Sequence, residues 1–369
     1  MAKDQVEKPP WATLEAGVTE EDLRTAITQS GFPLQAAVAD VIESAIKAVS
    51  EPDAAPVIQE EWAYLDRESG QIRAIDIFAE VPFSSRPSIP DGERPLFPCL
   101  NLLVECKQSY LPFVFFLRGR APGLSGTFPE IVGPESNDID LYRIGSDRKS
   151  VIGPFTISVQ DALRVWSEDF FDLPAPYAVS ISKTARRGSK LELTGEEAYK
   201  SITLPLLKAA DYLHTACAYS EDSPAVRFGM IVSLAVIRAP MIGVHNENGE
   251  ETIGQLPWVR AYRLEPGKAG SGHVASNATI RFFDVVHESF LPEYLEKLLA
   301  AASTISRRAE TMRNVIIDGR CVSAGDQTFE LFEPIPRDAK LPPGRQGSGP
   351  RLFRSVTSAQ IMFAPSEWD

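Results

Sequence analysis

Histidine and cysteine are scarce in this chain of 369 residues, with four of each. Cys99, Cys106, Cys217 and Cys321 include no Cys-x-x-Cys pair, which excludes a zinc cluster and the dense disulfide framework of a small secreted domain. Reduced thiols in a cytosol are the expectation. His214, His245, His273 and His287 are scattered, without the His-Glu-x-x-His spacing of a zinc hydrolase. No Gly-x-Ser-x-Gly elbow is present to present a serine nucleophile. Gly270-Ser271-Gly272 and Gly347-Ser348-Gly349 lack the Lys-Ser/Thr of a phosphate-binding loop and read as plain loops. Long apolar runs are missing too. The longest, Leu111 to Leu117 and Phe228 to Val236, fall far short of the ~20 residues that cross a bilayer. Lys3, Asp4, Glu7 and Lys8, followed by Pro9-Pro10, leave no apolar core for a signal peptide at the start. A cytoplasmic protein with no membrane partner is expected.

Basic residues are the minority charge, 37 against 50 acidic, for a formal net charge of −13. That balance argues against coating nucleic acid by bulk electrostatics, since counterion release needs Lys and Arg along the contact surface. It leaves room for a local basic groove, because the charge is unevenly placed. Residues 1–60 hold 11 acids and 4 bases, a net −7, so the other 309 residues carry only −6. With 44% hydrophobic residues the chain can build a full core for one large domain or two ordinary ones.

Thr19 with Asp22 forms a capping box in which a shorter acid replaces Glu, and it starts a helix. The apolar residues Leu23, Ile27 and, beyond the Gly31-Phe32-Pro33 break, Val38, Val41, Ile42 and Ile46 keep helical spacing up to the Glu51-Pro52-Asp53 turn. Two strand-like runs, Val57 to Leu65 and Ile72 to Val81, flank Asp66-Arg67-Glu68-Ser69-Gly70, where glycine permits the positive φ of a tight turn. A proline-rich excursion from Pro82 to Pro98 leads to two more, Leu100 to Gln108 and Phe113 to Arg118. Gly119 to about Lys149 reads as a long surface excursion. The pattern then predicts a helix from Val159 to Phe171 capped by Ser158 and a strand from Ala178 to Lys183. A second capping box, Thr194 with Glu197, opens a helix that reaches Ala216 and kinks near Pro205. Strands follow at Val226 to Ile237, Trp258 to Leu264 and Thr279 to Val286. A long helix from Leu291 to Met312 begins acidic at Glu293 and ends basic at Arg307, Arg308 and Arg313, as the helix dipole favours. The segment after Pro334 is rich in Pro, Gly and Ser and reads as a loosely held tail.

Two strands carry charges where an ordinary core strand has none. In Ile72-Arg73-Ala74-Ile75-Asp76-Ile77-Phe78-Ala79, alternation puts Asp76 on one face with Ala74 and Phe78. In Leu102-Leu103-Val104-Glu105-Cys106-Lys107, Glu105 and Lys107 share one face, and Val104 and Cys106 the other. Taken singly, each charge is most plainly a member of a satisfied ion network or a solvated strand face. On neighbouring strands they converge into a different object. A pair of carboxylates is a hard-oxygen site for Mg²⁺, which takes one or two carboxylates plus water and phosphate oxygens. A lysine beside it orients or deprotonates the attacking water and stabilises charge developing on phosphorus.

Asp76, then Glu105-Cys106-Lys107 after a turn, resembles the Asp…(Asp/Glu)-x-Lys signature of the PD-(D/E)XK nuclease superfamily, which includes restriction endonucleases, Mrr-like enzymes and recombination exonucleases. The setting agrees with the letters: a helix, a hairpin ending in the Asp strand, then a strand carrying Glu-x-Lys. The resemblance covers about residues 20–118 and extends weakly to about 290. It implies an α/β, restriction-endonuclease-like core, a mixed central β-sheet flanked by helices, spanning residues 20–290 with an insertion at about 119–177. Residues 1–19 would be an N-terminal extension, 291–333 a C-terminal helix and strand, and 334–369 the tail. Carried over by position, Asp76 and Glu105 are metal-binding carboxylates, the Cys106 carbonyl a further ligand and Lys107 the catalytic lysine. The implied cofactor is Mg²⁺, with Mn²⁺ as a substitute. Two positions depart from the pattern. Gln35 stands where many relatives place a helix Glu that completes the metal shell, leaving Glu60, Glu61 or Glu43 as substitutes, and Ala74-Ile75 precedes Asp76 without the proline of the superfamily name. Gln108, directly after the lysine, either touches DNA or water or simply ends the strand.

The resemblance implies a metal-dependent endonuclease, a hydrolase of DNA phosphodiester bonds in foreign-DNA defence or repair. The alternative is a catalytically silent nuclease-fold module that binds nucleic acid or protein. Cutting both strands needs two active sites, which suggests a homodimer or a partner protein of a defence system. Positive charge for DNA is offered by Lys183-Thr184-Ala185-Arg186-Arg187-Gly188-Ser189-Lys190, four bases in eight residues without an acid. Lys183, Arg186, Arg187 and Lys190 therefore read as a flexible loop that tracks a phosphate backbone, or as a solvated turn. Arg118, Arg120, Arg345, Arg351 and Arg354 could add to that surface.

Overall fold

A computed structural model describes residues 14, 17–49, 55–83, 94–119, 128–144, 151–172, 176–247, 249–266, 278–324 and 332–334. Arg120, His273, both Gly-Ser-Gly segments, most of the 1–19 extension, and Arg345, Arg351 and Arg354 with the tail from 335 onward lie outside the described residues.

The first helical region is two helices, α1 (Glu20–Gln29) and α2 (Phe32–Val49). The Thr19 capping box forms: its hydroxyl accepts from the Asp22 N–H at 3.1 Å, and the Asp22 carboxylate accepts from the Thr19 N–H at 3.1 Å. Gly31 separates the helices at φ 89°, a left-handed conformation that glycine adopts without a Cβ clash. Nothing on α1 is buried, whereas α2 buries Leu34, Val38, Ile42 and Ile46, every fourth residue of one stripe. The next two elements, β1 (Val57–Asp66) and β2 (Gln71–Pro82), form the expected hairpin, with Gly70 at φ 68° in its turn. β3 (Leu96–Gln108) follows antiparallel to β2, and after residues 109–112 the chain resumes as β4 (Phe113–Arg118).

The stretch expected as a surface excursion carries strands. β5 (Glu130–Val132) joins the main sheet, while β6 (Asp138–Ile144) and β7 (Val151–Ser158) begin a second one. Ser158 caps α3 (Val159–Ala162), which is far shorter than the helix predicted to Phe171, because Arg164 turns left-handed at φ 52°. Further on come β8 (Tyr177–Arg187), β9 (Lys190–Thr194), α4 (Gly195–Ala198) and α5 (Leu204–Ala216). Thr194 does not cap α4; its hydroxyl donates to the Lys183 carbonyl across the hairpin instead. A π-helical segment, Tyr199–Thr203, precedes Pro205 and widens the turn ahead of the missing N–H. The remaining elements are β10 (Val226–Arg238), β11 (Met241–Glu247), β12 (Glu250–Gln255), β13 (Trp258–Pro266), β14 (Ala278–His287), α6 (Leu291–Thr311), α7 (Arg313–Asp318), β15 (Arg320–Ala324) and β16 (Phe332–Pro334).

The protein is α/β, with a large mixed sheet flanked by helices. Twelve strands form it, in the order β1-β2-β3-β10-β14-β13-β8-β4-β11-β12, with β5 also on β10 and β9 also on β8. β3 and β10 run parallel from Leu96↔Val226 to Gln108↔Arg238, break ahead of Pro112 and Pro240, and resume as the parallel pair β4 and β11. Between the two pairs the sheet passes through β14, β13 and β8, so it folds back on itself around a second core. The first core lies under α2 and α6 and holds Leu34, Ile42, Leu102, Val104, Leu295 and Leu298. The second surrounds α5 and holds Ile75, Leu103, Phe113, Phe115, Leu206 and Phe283. Within the segment expected as an insertion, β6 and β7 are tied to the C-terminal part, since they share a four-stranded sheet with β15 and β16.

Candidate active site

Ile75 and Ile77 are two residues apart on β2 and by strict alternation should face the same way. They do not. Ile77, Ala79 and Val81 face the first core, whereas Ile75 and Phe78 face the second. β1 changes face at the same level: Ile58 packs on the first core, and Trp62 and Tyr64 belong to the second. The register between the strands is constant, with Glu60↔Ile77 and Trp62↔Ile75 both formed, so the break is a local turn of the backbone between them. Its source is Glu61, which sits at φ 50° beside Asp76. A non-glycine residue there stores on the order of 1 kcal/mol or more of strain, a feature concentrated at functional sites.

The same level ends the β2–β3 ladder. Ile77↔Val104 is its last pair, and Asp76 and Glu105 are the next residues on the two strands. With the ladder interrupted, the Asp76 carboxylate enters the gap and accepts the Cys106 N–H at 2.6 Å. Lys107 Nζ lies 2.5 Å from Glu105 Oε2 and 3.5 Å from Asp76 Oδ2, so all three charges meet. Asp76 and Lys107 are part-exposed, at 24% and 26%, while Glu105 is 5% exposed. The Cys106 side chain turns into the first core, where burial pushes its thiol pKa up; only its backbone belongs to the site.

Burial pushes the Glu105 carboxyl up to about 7, with Lys107 opposing and Asp76 and Glu61 reinforcing the rise. Burial pulls Lys107 down, but Glu105 and Asp76 together outweigh it and leave the amine above its usual value. Lys107 therefore stays charged between two carboxylates, and Glu105 is the member whose charge is costly. Tyr64 completes the wall: its hydroxyl donates to the Pro205 carbonyl at 3.1 Å, and burial with the nearby Glu105 pushes its pKa up to about 12.

Gln35 on α2 lies on the other side of the break, 5% exposed, with its amide donating to Glu60 at 3.3 Å. Glu43 pairs with Lys47 on the exposed face of α2, away from the cluster. Gln108 donates to the Thr28 carbonyl at the end of α1, so it ends the strand by tying it to a helix.

The basic segment is not a flexible loop. Lys183 to Lys190 builds the β8–β9 hairpin, paired from Lys183↔Thr194 to Arg187↔Lys190. Lys183 is neutralised by Glu197 at 2.5 Å, and Arg187 approaches Glu192 at 3.7 Å. Arg186 and Lys190 are exposed and form no ion pair among the described residues. Arg118 is exposed at the far end of β4. His214, on the exposed side of α5, is bonded to Glu130 at 2.6 Å in a separate cluster with Arg281.

Glu61 is among the candidate carboxylates of the sequence, but its residue type gives no cue for the left-handed conformation, and Tyr110, 86% exposed in the turn directly after β3, looks like any loop aromatic. No protein-family model matches the chain, and neither curated proteins nor solved structures show a significant similarity to it. No helix among the described residues is long and apolar enough to cross a membrane.

Proposed function

We propose that the protein is a metal-dependent phosphodiesterase that hydrolyses nucleic acid, with DNA as the expected substrate, at Asp76, Glu105 and Lys107. One observation carries the reading. Two carboxylates and a lysine from two neighbouring strands converge where the ladder is interrupted and the backbone strained, and two of the three remain open to solvent.

The donor set fits a hard divalent cation such as Mg²⁺ or Mn²⁺. Its side-chain donors are carboxylate oxygens, with Glu61 close behind and the Cys106 thiol turned away. Among the described residues no group of three or more His, Cys, Asp or Glu side chains is placed to hold a metal ion. Asp76 and Glu105 would therefore hold it with help from the Cys106 carbonyl, water and the substrate's own phosphate oxygens, a sparse protein shell of the kind Mg²⁺ takes. Once bound, such an ion supplies Lewis acidity at a phosphate oxygen and acidifies a water. The chain's own residues do the rest. The Cys106 N–H fixes the Asp76 carboxylate, Lys107 orients the attacking water and faces the charge growing on phosphorus, and the buried Glu105 holds Lys107 in line.

A second reading, a catalytically silent module, is favoured by the ion pairs that Lys107 makes with both carboxylates. A cleavage assay on plasmid and labelled oligonucleotide with Mg²⁺ or Mn²⁺ separates the two. The enzyme reading expects metal-dependent cleavage that falls by at least about 100-fold in Asp76→Ala and in Lys107→Ala. Cleavage unchanged in both variants, or none by the wild type with either ion, overturns it.

A further inference from the structure

We infer that the site takes a single strand, and that Tyr110 stacks a base of that strand while the β8–β9 hairpin holds its backbone. The inference rests on the phosphodiesterase reading and names its substrate class.

Tyr110 is the most exposed of the large hydrophobic side chains among the described residues, at 86%, and no ring or hydrogen bond among those residues holds it. It lies three residues beyond Lys107, at most about 11 Å along the chain, in the turn between β3 and β4. The turn itself is held firmly. Leu111 N–H donates to the Ser109 hydroxyl at 3.0 Å, Ser109 N–H donates to the Arg238 carbonyl at 3.1 Å, and Phe113 N–H to the Pro240 carbonyl at 2.9 Å. A rigid loop presenting a fully solvated aromatic ring beside a phosphodiesterase site is a stacking platform, because every base has a π-face.

The hairpin belongs to the same edge. Thr184 N–H and Oγ both donate to the Pro112 carbonyl, at 3.1 and 2.7 Å, which fixes β8 to the end of the Tyr110 turn. β8 runs antiparallel to β4 with Lys183 opposite Phe113, so its continuation passes the start of β4 on the side where the turn lies. That continuation carries Arg186 and Arg187, and Lys190 faces Arg187 across the hairpin. Carboxylates, an exposed ring and a basic arm thus follow one another along one edge. A stacked base must be unpaired, and a net charge of −13 argues against clamping a duplex by bulk electrostatics. Single-stranded DNA and single-stranded RNA share this chemistry, so both are tested.

The experiment is fluorescence anisotropy in EDTA, where no cleavage occurs, with a labelled thymidine strand, a uridine strand of the same length and a DNA duplex. Wild type is expected to bind a single strand at least 5-fold more tightly than the duplex. Tyr110→Ala should weaken single-strand binding by about 5- to 100-fold, the range for one stacked base, and Tyr110→Phe should stay within about 2-fold of wild type. Arg186→Ala with Lys190→Ala should weaken all strands and flatten the salt dependence. Tighter binding to one sugar type identifies the substrate within the proposal. Equal binding by Tyr110→Ala and wild type, a preference for duplex, or no binding by wild type overturns it. Failure here with Asp76-dependent cleavage intact would leave the phosphodiesterase standing on another substrate. Tyr110-dependent binding without cleavage would leave a single-strand binder and remove the enzyme.

Discussion

Two buried ion clusters in the same sheet are built on opposite terms. Arg260 and Asp284, on β13 and β14, are 2% and 0% exposed and joined by two parallel hydrogen bonds of 2.9 and 3.0 Å. The guanidinium also donates to the Phe170 and Phe171 carbonyls, the Tyr294 hydroxyl donates to Asp284, and the Phe128 ring lies 4.0 Å from the charge. Charged donor and acceptor alike are hydrogen-bonded from within the protein and almost wholly buried. At Asp76, Glu105 and Lys107 the ladder is cut, the lysine is a quarter exposed, and burial leaves the Glu105 carboxyl at about 7. A closed network holds a fold together. An open one leaves its carboxylates within reach of solvent, where the proposed metal ion would bind beside the ammonium.

The largest expected effect breaks the closed cluster. Asp284→Ala strands a buried guanidinium and should cost about 3–5 kcal/mol in denaturant unfolding. A loss under about 1 kcal/mol would show that the network is not structural. Next comes a cluster of intermediate openness, where Glu130 bridges His214 and Arg281. Burial pushes its carboxyl up, but the bonds from His214 and Arg281 win and hold it below the ordinary carboxylate value. A depressed carboxyl stabilises above its unfolded pKa and loses that contribution as pH falls through its folded one. Wild-type Tm should therefore drop more steeply below about pH 4.5 than that of Glu130→Gln, which forfeits about 1.5–3 kcal/mol at neutral pH. Parallel pH profiles would contradict this.

The open cluster should respond least in stability. Glu105→Gln removes the costly charge and leaves Lys107 paired with Asp76, so unfolding should shift by no more than about 1 kcal/mol while cleavage is lost. A loss as large as that of Asp284→Ala would make the two clusters alike. Smallest is Glu61→Gly, which relieves the left-handed backbone and should raise stability by up to about 1 kcal/mol, whereas Glu61→Val should lower it. The paired melting temperatures check the sign.

Much of the site was legible because charges inside apolar strands are conspicuous. Asp76, Glu105 and Lys107 stand out from Ile75, Ile77, Val104 and Cys106, and the β1–β2 hairpin announces itself through Gly70. The change of face at Asp76 was not legible, since it follows from one backbone torsion at Glu61 that no residue type marks. Charge also hid structure: half of the residues paired between β8 and β9 are Lys, Arg or Glu, so a hairpin read as a solvated loop. β5, only three residues long, exists because β10 offers it a partner, and that partner lies about a hundred residues further on. Long-range pairing of this kind leaves no local pattern.

The proposed metal site at the open cluster is tested most directly by Mn²⁺ binding to the folded protein, followed by isothermal titration calorimetry at low salt. Wild type should bind saturably, with binding lost in Asp76→Ala and kept in Glu130→Gln. No binding to wild type, or binding unchanged by Asp76→Ala, would contradict it.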